Sequence, residues 1–330
     1  MKILVTGAAG FIGSAVVQKL SQQGESVCAV DSFSDYYSRE LKEKRAENLR
    51  ENYGKEVINV ELSEKNQVQN LFRAINPEIV IHLAGQAGVR LPMAENYKYV
   101  RDNLVAFSNV ATQSCLANVS SFLYASSSSV YGNSPAYELS EGLGNLQPIS
   151  FYGGTKLANE ILANSLVISS KTKFRGLRFF TVYGPWGRPD MAYLKLIDSG
   201  INNKTFNLFG DGSKKRDFTF VDDVVSSVIE LFHESENRDS KFSDVVNIGG
   251  GRPVSMNALI EIIENRLGAK INVNYTENAI GDVANTMSDT SYLKSLTSIR
   301  EFVKIEDGIA RTVEWALKMN AENAYQRWFD

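Results

Sequence analysis

The sequence predicts an α/β protein: a doubly wound parallel sheet followed by a smaller C-terminal α/β domain. Three observations carry that expectation. Short apolar runs alternate with segments of helical spacing through the first 180 residues. A Gly7-x-x-Gly10-x-x-Gly13 turn lies between the first such run and the first helical segment. After Thr181 the alternation loosens into a stretch punctuated by Gly184, Pro185, Gly187 and Pro189. Strands and helices that alternate favour a parallel sheet with helices on both faces and right-handed crossovers.

The elements follow in order. Residues 2–5 are a short apolar strand that ends at glycine. Residues 11–23 have helical spacing, with Ile12, Val16, Val17 and Leu20 apolar. Residues 26–30 form a second strand, closed by Asp31, and residues 57–60 a third. Val68, Leu71, Phe72 and Ile75 mark a helical face that Pro77 stops. A fourth strand covers 78–81, a long helix 96–117, a fifth strand 121–124, a second long helix 152–169 and a strand 175–179. Short elements at 206–209, 221–232, 245–248, 256–267 and 271–275 complete the pattern. The expected domains are 1–180, to which 221–248 returns, and mainly 181–330. Ligands of such sheets sit at the carboxyl ends of the strands, where Gly7, Asp31, Ala84, Ser127 and Thr181 all fall.

Composition narrows the function. The 330 residues are 43% hydrophobic, enough for a sizeable core, and the net charge of −3 favours neither nucleic acid nor an anionic membrane. Lys214-Lys215-Arg216 is the one tight basic cluster. No apolar run approaches the roughly 18 residues of a membrane helix, and Thr6, Gly7 and Gly10 interrupt the N-terminal run, so no signal peptide is expected. A cytoplasmic protein with Cys28 and Cys115 as buried thiols is the expectation. The two histidines, His82 and His233, argue against a histidine-based metal site or a Ser-His-Asp triad. His82 ends an apolar run and is expected to be a hydrogen-bonded strand-end residue.

The glycine turn suits a dinucleotide. Glycine lets the backbone turn sharply and approach a pyrophosphate, and the helix N-terminus offers free N–H groups and a positive dipole end. Gly7, Gly10, Phe11, Ile12 and Gly13 are the expected contacts. Asp31, with Ser32 beside it, stands where a carboxylate accepts from a ribose 2′-hydroxyl and repels a 2′-phosphate, so NAD is preferred to NADP. Leu83, Ala84 and Gly85 follow the fourth strand with small side chains that let a dinucleotide lie close. Glu61 and Leu62 follow the third strand and face the adenine side.

Tyr152-x-x-x-Lys156 lies downstream of Ser126-Ser127-Ser128-Ser129. A free tyrosine titrates near 10, so its useful ionisation at neutral pH needs about 4 kcal/mol. One cation at about 4 Å supplies about that much at an effective dielectric near 20. Lys156, one turn along the helix from Tyr152, is placed to be that cation. A serine of the run would hydrogen-bond a substrate hydroxyl. Together with the glycine turn, this predicts redox chemistry at a carbinol carbon.

These motifs resemble the extended short-chain dehydrogenase/reductase family, whose cofactor domain is a Rossmann fold. Within it they look like the nucleotide-sugar 4-epimerases that act on UDP-glucuronate. The resemblance runs through Thr6 to Gly13, Asp31, His82-Leu83-Ala84, Ala125 to Gly132, Tyr152 with Lys156, and Arg178 to Pro185. It continues through Trp186 to Ala192, Arg216 to Thr219 and Gly281-Asp282-Val283. It implies Tyr152 as acid/base for a C4 hydroxyl, Lys156 as its partner and a ribose ligand, and Ser127 as the catalytic serine. It implies Ser126 and Ser128 at sugar hydroxyls and Tyr183 beside the cofactor. It further implies NAD as a resident group, a 4-keto intermediate, and a net interconversion of UDP-glucuronate and UDP-galacturonate that is redox-neutral. Phe206 would begin the strand that receives uracil, Arg216 would meet the diphosphate, and Asp282 the uridine ribose. Arg188 and Thr181 would hold the substrate carboxylate, and Arg90 is a second candidate for an anionic group. A homodimer built on the two long helices is also implied. The related dehydratases and decarboxylases carry acidic residues where this chain reads Ser127-Ser128-Ser129, which points away from loss of water or CO2. An epimerase for a neutral or N-acetylated UDP-hexose is the alternative, and a non-catalytic NAD-binding scaffold a remote one. Three departures stand out: Gly153-Gly154 where alanines are usual, at a cost of roughly 2 kcal/mol of helix propensity; Glu61 where aspartate is usual; and an atypical stretch over 133–147.

Overall fold

The structure is a computed structural model and describes residues 1–277, 285–321, 325, 328 and 329. Its centre is a seven-stranded, wholly parallel sheet. The strands are β1 (Lys2–Thr6), β2 (Ser26–Asp31), β3 (Val57–Asn59), β4 (Ile79–His82), β5 (Ser121–Ser127), β6 (Lys173–Phe179) and, from the C-terminal half, β10 (Ser243–Ile248). Their order is β10-β6-β5-β4-β1-β2-β3. The chain runs outward from β1 to β3 and then crosses back to β4, so the topological switch lies between β1 and β4. A crevice opens at such a point, beyond the carboxyl ends of the strands.

Successive side chains of a strand point to opposite faces, and here both faces are covered. Ile3, Val5, Ile79 and Ile81 meet α1 (Phe11–Gln22) and α8 (Val221–Asn237) on one side. Leu4, Val80, Phe122 and Phe174 meet α3 (Lys65–Ile75), α5 (Ala106–Leu116) and α6 (Phe151–Ser169) on the other. This double burial explains why the strands are continuous apolar runs rather than alternating ones.

The C-terminal half adds two small sheets. Strands β7 (Thr181–Tyr183), β9 (Lys215–Phe220) and β11 (Pro253–Ser255) form one, and β8 (Thr205–Phe209) pairs with β12 (Asn272–Thr276) in the other. Helices α7 (Ala192–Asn202), α9 (Met256–Leu267), α10 (Ser291–Leu296) and α11 (Ile305–Ala321) pack around them. Among the described residues, no helix is long and apolar enough to cross a membrane. Cys28 and Cys115 are free, and both are half-buried rather than fully enclosed as expected.

Helices α7, α10 and α11 and strands β7, β9 and β11 were not among the expected elements, and two further departures bear on the site. Helix α2 (Arg39–Tyr53) was not foreseen: of its four buried positions two are Lys42 and Arg45, so it carries no apolar stripe. The helix expected over 96–117 is α4 (Asn96–Tyr99) and α5 joined by a π-helical stretch, Val100–Val105, in which Asn103 alone is buried. Such bulges concentrate at functional sites.

The paired glycines of α6 differ in purpose. Ser150 caps the helix by accepting from Gly153 N. A Cβ on Gly153 would stand 2.7 Å from the Ser129 carbonyl, whereas one on Gly154 meets nothing within 4 Å. Gly153 therefore lets the helix approach the serine loop, and Gly154 only weakens it. Gly154→Ala should stabilise the protein by about 1 kcal/mol, while Gly153→Ala should destabilise it; thermal unfolding giving the two the same sign would refute this.

Candidate active site

At the switch point lies a cleft of ≈ 320 Å³ that collects most of the predicted residues. Gly7, Gly10, Phe11, Ile12, Gly13, Asp31, Ser32, Glu61, Leu62, Leu83, Ala84 and Gly85 line it at one end. Ser126, Ser127, Ser128, Tyr152, Lys156, Thr181 and Arg188 line it as well.

The glycine turn has the geometry a dinucleotide needs. Gly7 is left-handed at φ +71°. A Cβ on Gly7 would lie 2.7 Å from Ala84 N, and one on Gly13 would lie 2.0 Å from the Gly7 carbonyl. Any larger residue would close the cradle or push α1 away from it. Asp31 is held by two backbone donors, Ala9 N at 3.0 Å and Phe33 N at 2.8 Å. Glu61 accepts from Ser63 N and Oγ, which orients its carboxylate at the cleft rim. These residues fit NAD: the turn would take the diphosphate and Asp31 the adenosine ribose.

Lys42, from α2, also lines the cleft. It donates to the carbonyl and hydroxyl of Ser34, and burial takes its ammonium down to about 8 against the pull of Asp31. It escaped the sequence reading because it sits in a charged run with no periodic signal. Asn103 escaped too. Its side chain accepts from Gln86 N at 2.8 Å and donates to Gln86 O and Thr155 Oγ1, and Thr155 Oγ1 donates to Tyr152 O. The π-helical turn thus ties the loop after β4 to the helix that carries Tyr152 and Lys156.

The reacting end brings Lys156, Tyr152 and Ser127 to the cleft. Lys156 Nζ donates to the Ala125 carbonyl at 3.0 Å and stands 5.7 Å from the Tyr152 ring centroid. Burial takes the lysine down to about 8. Burial also pushes the Tyr152 phenol up, while the Ser127 hydroxyl and the Arg188 charge pull it down. The ligand-free phenol is therefore held protonated, and Lys156 alone does not offset its desolvation. Ser127 is seated by Ser129 N, which donates to its hydroxyl at 3.1 Å.

His82 sits beneath this end as a neutral, fully buried ring, hydrogen-bonded to Thr6 Oγ1 at 2.9 Å and packed on Phe107 and Phe122. Burial and the Lys156 charge lower it to about 3. The unfolded chain binds the proton from about pH 6.5 downward, so this contribution to stability is present above 6.5 and is lost as the pH falls toward 3, by about 1.4 kcal/mol per unit. Chemical denaturation between pH 7 and 5 should show this slope flattened in His82→Asn; an unchanged slope would contradict it.

Some predicted residues lie elsewhere. Ser126 backs onto the cleft but its hydroxyl turns away and donates to Glu160 at 2.5 Å, so it does not offer that hydroxyl to a sugar. Tyr183 does not line the cleft; its ring is buried against Tyr193, Phe218 and Phe220. The Phe206 side chain belongs to the core, on a strand whose buried and exposed residues alternate. Arg216 lies on β9 and donates to the Lys215 carbonyl. Arg90 lies over the Phe209 ring at 5.6 Å, which places it by β8 rather than by the serine loop. Asp282 lies outside the described residues.

Arg188 lines the same cleft as Tyr152, and its positive charge pulls the phenol down. Its guanidinium holds Asp190 by two bonds of 3.0 and 2.7 Å and stands over the Tyr36 ring. Burial opposes its charge, but the Asp190 carboxylate more than compensates and keeps it protonated.

Residues 3–249 match the model of the NAD dependent epimerase/dehydratase family. The chain belongs to that family. It is an NAD-dependent enzyme of the epimerase/dehydratase kind, and its seven-stranded sheet is the family's cofactor-binding Rossmann fold. Among relatives, the protein CapI of Staphylococcus aureus is 38% identical across 96% of this chain and 99% of its own length. A probable UDP-glucuronate 4-epimerase of Rhizobium meliloti is 36% identical across 96% of each. A Bacillus cereus UDP-glucuronic acid 4-epimerase, solved with UDP-glucuronic acid and NAD, superposes with a TM-score of 0.88 at 31% identity, covering 97% of this chain and 100% of that one.

Proposed function

We propose that this enzyme interconverts UDP-glucuronate and UDP-galacturonate by inverting C4 of the sugar. The observation that carries the proposal is Arg188, a cation that lines the same cleft as Tyr152, Lys156 and Ser127. C5 bears the carboxylate of a uronate next to C4, so a residue reading that carboxylate must stand beside the acid/base. Arg188 does.

Bound on the glycine turn, NAD would supply a hydride acceptor and donor for C4 and a positively charged ring. The chain supplies the rest. Tyr152 takes the proton of the C4 hydroxyl and returns it to the opposite face. Ser127 holds that oxygen and spans the two positions. Lys156 adds positive charge and binds the ribose. Arg188 and Thr181 hold the carboxylate in place while the ketone forms at C4, where a β-keto acid would otherwise lose CO2. Arg216, on β9, would meet the diphosphate of the substrate, and Arg90 remains a second candidate for an anionic group.

A second reading rests on Asp190. Because it already occupies Arg188, the local charge is close to neutral, which suits an epimerase for a neutral UDP-hexose or UDP-N-acetylhexosamine. The test is to incubate purified protein, without added cofactor, with UDP-glucuronate and in parallel with UDP-glucose. Formation of UDP-galacturonate as the faster reaction is expected; faster formation of UDP-galactose would favour the second reading and retire the first.

The enzyme also fits a cytoplasmic homodimer. The outer faces of α5 and α6 expose Leu116, Ile161, Leu162 and Ile168, with Ile168 77% accessible. Exposed apolar side chains on these two helices would be covered by a second copy of the chain. Sedimentation should give twice the mass of one chain, and Ile161→Glu should shift it to monomer; a wild-type monomer would refute the assembly.

A further inference from the structure

Arg45 is the most heavily bonded charge in the described structure that the reaction does not use. It is 2% exposed. Its five N–H groups all have acceptors, and every acceptor is neutral. Nη1 donates to the Ala9 carbonyl at 3.1 Å and to the Tyr37 hydroxyl at 2.7 Å. Nε and Nη2 donate to the Trp186 carbonyl at 3.1 and 2.6 Å, and Nη2 also to the Gly187 carbonyl at 3.0 Å.

These acceptors belong to two separate binding elements. Ala9 is part of the glycine turn, and its own N–H holds Asp31. Trp186 and Gly187 immediately precede Arg188. Trp186 is a non-glycine residue in the left-handed region at φ +60°, a conformation that persists only where its surroundings hold it. Arg45 grips its carbonyl twice. The same segment after Asp31 also carries Tyr36, whose hydroxyl donates to Asp190 and whose ring lies under Arg188.

We propose that Arg45 is a positioning residue that couples the cofactor turn to the Arg188 loop, so that an occupied turn sets the grip on the acidic group of the substrate. The planar guanidinium reaches acceptors on both elements at once, which a lysine ammonium cannot do. Its charge, paired with no carboxylate among the described residues, also complements a diphosphate at the neighbouring turn. The proposal rests on Arg188 reading an acidic substrate, and it predicts a coupling that can be read without turnover.

The experiment uses the full-length holoenzyme and its Arg45→Lys, Arg45→Met, Arg188→Ala and Arg45→Lys/Arg188→Ala variants. In wild type, adding NAD to stripped protein should protect the amides of residues 184–191 from hydrogen exchange. In Arg45→Lys that protection should disappear while bound NAD, quantified after release, stays within about two-fold of wild type, because the charge is kept. Arg45→Met should lose NAD as well. With UDP-glucuronate, Arg45→Lys should raise KM about ten-fold and leave kcat within about three-fold; in the Arg188→Ala background it should add nothing to KM. Unchanged NAD-dependent protection in Arg45→Lys, or an equal rise in KM with and without Arg188, would overturn the coupling and leave Arg45 a packing residue. Failure of wild type to turn over UDP-glucuronate, with the exchange coupling intact, would count against the substrate assignment alone.

Discussion

Tyr152→Phe should lower kcat by about three orders of magnitude while the bound NAD content and the affinity for UDP-glucuronate stay within a few-fold of wild type. Proton transfer by a placed side chain is worth about 10²–10⁴ in rate, and one phenol here would serve both proton removal and proton return. The hydroxyl is the only atom lost. Tyr152 is 8% exposed, and its ring packs on Tyr99, a contact that phenylalanine keeps. Burial pushes the phenol up in the ligand-free cleft, so ionising it at neutral pH costs more than the roughly 4 kcal/mol a free tyrosine needs. Lys156 stands 5.7 Å from the ring centroid and donates to the Ala125 carbonyl. In the proposed mechanism a bound NAD ring would supply further positive charge. Lys156→Met should therefore be less damaging to kcat than Tyr152→Phe, and should lower cofactor retention as well. Equal NAD content together with a kcat loss below ten-fold in Tyr152→Phe would contradict the assignment.

The largest stability effect should come from Arg178→Met. Arg178 forks onto Glu160 with bonds of 2.9 and 2.8 Å and reaches the Tyr131 hydroxyl at 2.9 Å. Tyr131 in turn donates to Asn247, and Ser126 donates to Glu160. Both charged partners are under 7% exposed. Removing the arginine leaves a carboxylate buried without a counter-charge, which costs about 3–5 kcal/mol. The exposed pair Arg39–Glu43, with side chains 63% and 54% accessible, should contribute no more than about 0.5 kcal/mol. Chemical denaturation of the two variants side by side checks the contrast. The network also joins the helix of Lys156 to the strand of Ser127, so Arg178→Met should lose activity before it loses fold. A loss of stability under 1 kcal/mol would mean that the pair contributes little.

The sequence made the cofactor end of the site legible because its signals are local. A glycine turn, a strand-end carboxylate and a Tyr-x-x-x-Lys helix each lie within a few residues of chain, and the structure brings them to one cleft. What escaped was long-range. Helix α2 turns Lys42 and Arg45 inward, so the residues that bury it carry charge and leave no apolar period. Arg45 finds its acceptors 36, 141 and 142 residues away. Asn103 acts only because a π-helical turn rotates it inward, and propensity does not signal that turn. Ser126 and Ser127 are adjacent in a strand, so their side chains take opposite faces; one meets the cleft and the other Glu160. Tyr183 sits next to cleft-lining Val182, yet its ring is buried against Tyr193, Phe218 and Phe220.

The most direct test of the account follows the hydrogen on C4. UDP-glucuronate carrying deuterium at C4 should be converted by the holoenzyme to UDP-galacturonate with the label still on C4, and unlabelled substrate in heavy water should acquire no deuterium there. Loss of the label to solvent, or uptake from it, would show that the carbon is deprotonated rather than oxidised and would contradict the mechanism built on Tyr152 and NAD.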